Sequence, residues 1–184
     1  YAMRVYQRFP IRYWDSWLDD RRATLVVQPL APGASPRDVL SATALGRDAG
    51  FGAVGEGDGS YSLLPVWSPD GRSILFVATQ RRWDAAHSNV GYDIYRVPAE
   101  GGGEAQKITD ASGGYSALAF TPDGRTLLFR HAVQDDNVYN LPRLMRMTWP
   151  ATGAMQPVTR GFDREPVRFA ITPDSRTAYM LVHE

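Results

Sequence analysis

The chain has 184 residues, 43% of them hydrophobic, with 20 basic and 20 acidic side chains and a formal net charge of zero. That size suits one globular domain or part of a larger one, and the balanced charge leaves no basic face for nucleic acid or an anionic membrane. No cysteine is present, which removes disulfides and thiolate chemistry, and no apolar run reaches the ~18–20 residues of a membrane span.

Seventeen glycines and thirteen prolines break the chain often and favour many short elements over long helices. The opening stretch YAMRVYQRFP lacks the apolar run and small-residue cleavage site of a signal peptide. Absence of cysteine is compatible with either redox compartment, and a periplasmic or secreted location is favoured over a cytoplasmic one.

In chain order, RATLVVQPL (22–30) reads as the third strand of an interrupted four-stranded unit, and RDVLSA (37–42) as its fourth. The Gly-rich GFGAVGEGDGSYS (50–62) then reads as a link, so that residues 1–60 form a partial unit and its linker. LLPVW and SILFVAT follow, on either side of Ser68-Pro69-Asp70-Gly71. Proline presets φ for the second position of a type I turn and glycine accepts the positive φ that follows, the chemistry of a tight hairpin with a glycine bulge. SILFVAT is apolar on both faces, Ile74, Phe76 and Ala78 against Leu75 and Val77, which predicts a strand in a sheet packed between two others. GYDIYRVPA (91–99), the turn EGGGE and AQKIT (105–109) supply two further strands.

The whole pattern then recurs. VWSPDGRSILF (66–76) returns as AFTPDGRTLLF (119–129) and as AITPDSRTAYM (170–180), with Asp70, Asp123 and Asp174 spaced by 53 and 51 residues. LPRLMRMTW, PATGAM and QPVT complete the second unit. Four antiparallel strands per period of about fifty residues are the blades of a β-propeller. The expected fold is therefore all-β, a partial propeller with one blade at 61–113, a second at 114–164 and the first half of a further blade at 165–184. Its repeat turns are Pro69-Asp70-Gly71, Pro122-Asp123-Gly124 and Pro173-Asp174. In the third copy Ser175 replaces glycine and is expected to take a strained positive φ.

Several stretches resemble the N-terminal propeller of prolyl-oligopeptidase-type serine peptidases, in the acylaminoacyl-peptidase and dipeptidyl-aminopeptidase branch. RYWDSWLDDRRATLVV (12–27) is similar to that branch's His-Trp-Asp-Thr-Trp segment, with Tyr13 for His and Ser16 for Thr. AAHSNVGYDIYRVP (85–98) and VTRGFDREPVRFAITPDSRTAYM (158–180) resemble two further segments in the same order. The PDG repeats are shared more widely, TolB-type propellers included. The resemblance implies that catalysis belongs to a separate α/β-hydrolase domain, with this chain selecting peptide substrates. The alternative is a TolB-like propeller that serves as a protein-interaction module.

The chain shows no local catalytic motif in its sequence, which leaves an independent enzyme with a dispersed His–Asp–Ser site as a third alternative. Gly114-Tyr115-Ser116-Ala117-Leu118 lacks the second glycine of a nucleophile elbow and leads into a strand. His87, His131 and His183 lie 44 and 52 residues apart without a metal-binding spacing. GEGDGS (55–60) lacks the Gly-Lys-Ser/Thr of a phosphate cradle, and Asp19-Asp20 and Asp135-Asp136 lack the spaced oxygens of a calcium loop. No cofactor and no metal is expected.

Among the tryptophans Trp14, Trp17, Trp67, Trp83 and Trp149, Trp67 holds the repeat position of Phe120 and Ile171 and is expected between blades. Trp83, with Arg81 and Arg82 in the polar loop TQRRWDAAHSN (79–89), is the candidate contact for substrate or for the hydrolase domain, against the plain reading of a solvated loop. The incomplete blades at both ends predict self-association through open edges, or dependence on the rest of a larger protein.

Overall fold

The computed structural model describes residues 21–54, 62–86, 88–109, 113–135, 140–150 and 154–183, with the backbone of 12–13 and 16–17. Trp14, Asp19-Asp20, GEGDGS (55–60), His87 and Asp136 lie outside the described residues, as does the side chain of Trp17. In order come a short hairpin of β1 (Arg12–Tyr13) and β2 (Ser16–Trp17), then β3 (Val26–Val27) paired antiparallel with β4 (Arg37–Asp38). One helical turn, α1 (Ala44–Arg47), follows, its N-terminus capped by the Thr43 hydroxyl accepting from the Gly46 N–H.

The first full blade holds β5 (Gly52–Ala53), β6 (Val66–Trp67), β7 (Ser73–Thr79), β8 (Asp93–Pro98) and β9 (Gln106–Lys107). The second holds β10 (Gly113–Phe120), β11 (Thr126–Val133), β12 (Arg143–Thr148) and β13 (Gln156–Pro157) as an antiparallel meander. β14 (Pro166–Ile171) and β15 (Ala178–Val182) form the opening hairpin of the third.

The blade boundary differs from the sequence expectation at one place. Both β5 and β6 pair with β7, Ala53 opposite Ala78 and Trp67 opposite Ile74, and Val54 bridges Ser62. The innermost strand of the first blade is therefore split by an excursion. Its opening half lies in the Gly-rich stretch that reads as a linker, where Phe51 and Ala53 are buried core residues.

The half-blade at the start is in register with the others. The Leu25 carbonyl accepts from the Val39 N–H at 3.0 Å, as Ile94 does from Ile108 at 2.9 Å and Leu144 from Val158 at 2.8 Å. That identity assigns β3 and β4 as third and fourth strands, as RATLVVQPL and RDVLSA predict, although the regular pairing is shorter.

Two apolar layers hold the blades face to face, one on each side of β7. On one side Ile74, Phe76 and Ala78 pack with Leu25, Val39, Leu40, Phe51, Tyr95 and Val97. On the other, Leu75, Val77 and Ile94 meet Tyr115, Leu118, Leu127, Phe129 and Met147 of the second blade. Phe76 and Val77 have no exposed surface, so the two-faced apolar pattern of SILFVAT is the pattern of a sandwiched strand. Truncating Phe76 or Phe129 to alanine would cost about 3–5 kcal/mol at such sites.

The three repeat turns share one set of bonds. The hydroxyls of Ser68, Thr121 and Thr172 donate to the carboxylates of Asp70, Asp123 and Asp174 at 2.6, 2.6 and 2.5 Å. Those carboxylates accept from the N–H of Arg72, Arg125 and Arg176, two residues on. Gly71, Gly124 and Ser175 all have positive φ, at 67°, 71° and 62°, so the serine keeps the shared turn.

Candidate functional site

The loop after β7 is folded back on the chain that precedes the first blade. Residues Arg82–Ala86 form a 3₁₀ turn whose Arg82 N–H bonds the Gly50 carbonyl. The Trp83 indole donates to the Ala49 carbonyl at 2.6 Å, and Gln80 donates to Asp48. Gly50 has no room for a side chain, since a Cβ there would stand 2.0 Å from the Gln80 carbonyl oxygen.

Of the three residues singled out in this loop, the structure sets one apart. Arg82 is buried, donating to the Arg21 carbonyl at 3.3 Å with its guanidinium 4.9 Å from the centre of the Trp83 ring. Arg81 is exposed and pairs with Asp84 at 2.9 Å. Trp83 is half-buried. Arg82 and Trp83 thus pin the loop by cation–π and hydrogen-bonding contacts, and Arg81 with one edge of Trp83 remains for a partner to touch.

A concavity on the next blade escapes the sequence reading. A cleft of about 400 Å³ opens on the second blade between His131 and Val133 of β11, Arg143 and Met145 of β12, and Leu141 and Met155. His131 stands opposite Arg143 in the strand register, and its ring lies 4.6 Å from that of Tyr115. Apolar walls with a cation at the rim can hold an apolar side chain beside an anionic group. Residues 131, 133, 143 and 145 share a face through strand alternation, a signal present in the sequence but readable only once the two strands are known to pair.

Among the described residues, neither the loop nor the cleft presents a nucleophile elbow or a metal-ligand cluster. Ser116 lies within β10, opposite Arg130, followed by Ala117 at φ +53° and a β-bulge, with no helix behind it to form an elbow. Among the described residues, no three His, Asp or Glu side chains gather as metal ligands would. Trp67 corrects an expectation: it is 53% exposed, while its counterpart Phe120 packs edge-on to Trp149 at 5.1 Å. The face that Trp67 shares with Ile74 looks toward the opening half-blade, of which the described residues form a third and a fourth strand.

No known protein-family model matches the chain. Over 67 residues, 36% of its length, it is 42% identical to a Bacillus subtilis (strain 168) protein named uncharacterized peptidase YuxL, covering 9% of that protein. Its fold superposes on crystalline TolB from Acinetobacter baumannii with a TM-score of 0.54 and 21% identity, over 86% of this chain and 32% of that one. The chain thus spans under a tenth of the peptidase and about a third of TolB. Stacked antiparallel four-stranded sheets, repeated turns and this superposition together establish the chain as a stretch of β-propeller.

Proposed function

We propose that the chain is the non-catalytic propeller portion of a serine exopeptidase, gating and selecting peptides for an α/β-hydrolase domain elsewhere in the protein. The observation that carries this reading is the 42% identity with a protein named as a peptidase. The propeller fold and a Ser116 embedded in a strand support a chain that shapes access and leaves bond cleavage to another domain. Arg81 and Trp83 in the loop after β7, and the His131–Arg143 cleft at the equivalent end of the second blade, are the surfaces offered to a peptide or to the hydrolase domain.

A fluorophosphonate probe, which labels activated serines, tests the assignment on the longer protein that carries this chain. After labelling and limited proteolysis, the adduct is expected on a peptide outside residues 1–184. An adduct on Ser116 would overturn it.

The similarity to TolB over 86% of the chain favours a second reading, a propeller module that binds other proteins and accompanies no hydrolase. The same labelling separates the two, because a purely interacting protein gives no adduct anywhere.

A further inference from the structure

The two complete blades share one strand register but fill one place in it differently. Phe76 opposes Tyr95 and Ala78 opposes Asp93 in the first blade. Phe129 opposes Met145 and His131 opposes Arg143 at the same positions of the second. In the first blade this place is full. The Tyr95 ring stacks on Phe76 at 5.7 Å, and its hydroxyl donates to Gln80 at 3.1 Å. The Asp93 carboxylate accepts from the Thr109 hydroxyl at 2.8 Å and pairs with Lys107 at 3.5 Å. In the second blade Met145 stands for the ring, Val133 for Gln80 and Pro157 for Lys107, and these positions line the cleft of about 400 Å³.

The charge is reversed as well. Arg143 takes the place of Asp93, exposed and with no ion pair among the described residues. Thr159 takes the place of Thr109, because the Val158 N–H bonds the Leu144 carbonyl as that of Ile108 bonds Ile94. Thr159 is 7% exposed, and its hydroxyl has no hydrogen-bond partner among the described residues. The second blade thus keeps the threonine and gains a cation where the first has its own carboxylate and ring.

We propose that this cleft takes the C-terminal residue of a peptide, its apolar or aromatic side chain against Leu141, Met145 and Met155 and its free carboxylate on Arg143. The inference rests on the reading of the chain as a peptide-selecting propeller and names the end of the peptide that is read. The peptide supplies the two groups that Tyr95 and Asp93 supply in the first blade. A terminal residue carries both on one Cα. The volume lies at the low end of ligand pockets, which suits one residue over a segment that must enter and leave. Arginine presents paired N–H donors to a carboxylate. Asn140 of the lining already donates to Asp135 at 2.6 Å, so the charged contact falls to Arg143.

Fluorescence anisotropy on the longer protein, treated beforehand with a fluorophosphonate, tests this without turnover. The probe is an N-terminally labelled pentapeptide of four alanines and a phenylalanine, as free acid and as C-terminal amide. The free acid should bind about tenfold more tightly. Arg143→Gln should erase that preference and leave the amide unchanged. Met145→Tyr, which installs the residue of the first blade, should fill the cleft and weaken both peptides with an unchanged circular dichroism spectrum. No binding, equal binding of acid and amide, an acid preference that survives Arg143→Gln, or affinities untouched by Met145→Tyr would overturn the proposal. So would an amide ending in Glu-Phe that binds as well as the free acid. Acid-selective binding without a serine adduct would keep the cleft and remove the hydrolase, and an adduct without acid selectivity would do the reverse.

Discussion

The Ser175 hydroxyl accepts a hydrogen bond from the Asp123 backbone N–H at 3.0 Å, tying the turn of one blade to the turn of the blade before it. Ser175 therefore combines a backbone strain of roughly 1 kcal/mol with a bond of about the same worth. Ser175→Gly removes both, and the unfolding free energy should change by less than about 0.5 kcal/mol. Ser175→Ala keeps the strain and loses the bond, and should destabilise by about 1 kcal/mol. Denaturant midpoints decide, and an alanine variant more stable than the glycine variant would contradict this pairing of effects.

Gly71 and Gly124 occupy equivalent turns in unequal surroundings. A Cβ on Gly71 would meet nothing within 4 Å, while one on Gly124 would stand 2.8 Å from the Pro69 Cβ. Gly71→Ala should cost only the positive-φ penalty, about 1 kcal/mol, and Gly124→Ala about 1–3 kcal/mol more from overpacking between turns. Equal thermal shifts for the two would show that the turns do not stack.

Arg130 stands in its strand where Val77 stands one repeat earlier, and its charge is met by Glu165 and the Val167 carbonyl of the following hairpin. Glu165→Ala leaves a mostly buried guanidinium without its counter-charge. The pair keeps some solvent contact, so the expected loss is about 1–2 kcal/mol rather than the larger cost of a fully buried pair. Arg130→Val in the same background should recover most of it, which a double-mutant cycle by urea unfolding measures. A double variant less stable than Glu165→Ala alone would count against the charge-pair account.

The three turn aspartates respond to acid. The hydroxyls of Ser68, Thr121 and Thr172, and next the N–H two residues on, hold Asp70, Asp123 and Asp174 below the usual carboxylate range. A lowered folded pKa contributes stability that is present above the ordinary value near 4 and is lost as pH falls through the lower folded value. Thr121→Val should bring the Asp123 titration up toward the ordinary range and make the acid limb of stability shallower. Carboxyl-carbon NMR shifts follow this directly, and an Asp123 midpoint unmoved by the substitution would refute the hydroxyl's role.

Much of this arrangement is legible in the sequence because it rests on short-range chemistry. Pro-Asp-Gly presets its turn, and the unbroken apolar run in SILFVAT states that both faces of β7 are covered. What escapes depends on contacts between distant segments. Gly52–Ala53 carries no local strand signal, and only pairing with Ala78 and Thr79 makes it part of the blade. Arg82 looks like a solvent-facing cation until the loop folds back to the Arg21 and Gly50 carbonyls. Trp67 shows the converse, a core position by repeat logic that is 53% exposed, because the described half-blade opposite it consists of third and fourth strands. The His131–Arg143 cleft needs the register of β11 on β12, which neither strand announces alone.

Turnover of chromogenic aminoacyl and dipeptidyl substrates by the purified 184-residue chain tests the central claim most directly. The account predicts no hydrolysis above the buffer rate, because Ser116 lies within a strand opposite Arg130 and not on a nucleophile elbow. Hydrolysis that co-purifies with the chain and disappears in Ser116→Ala or His131→Ala would contradict it.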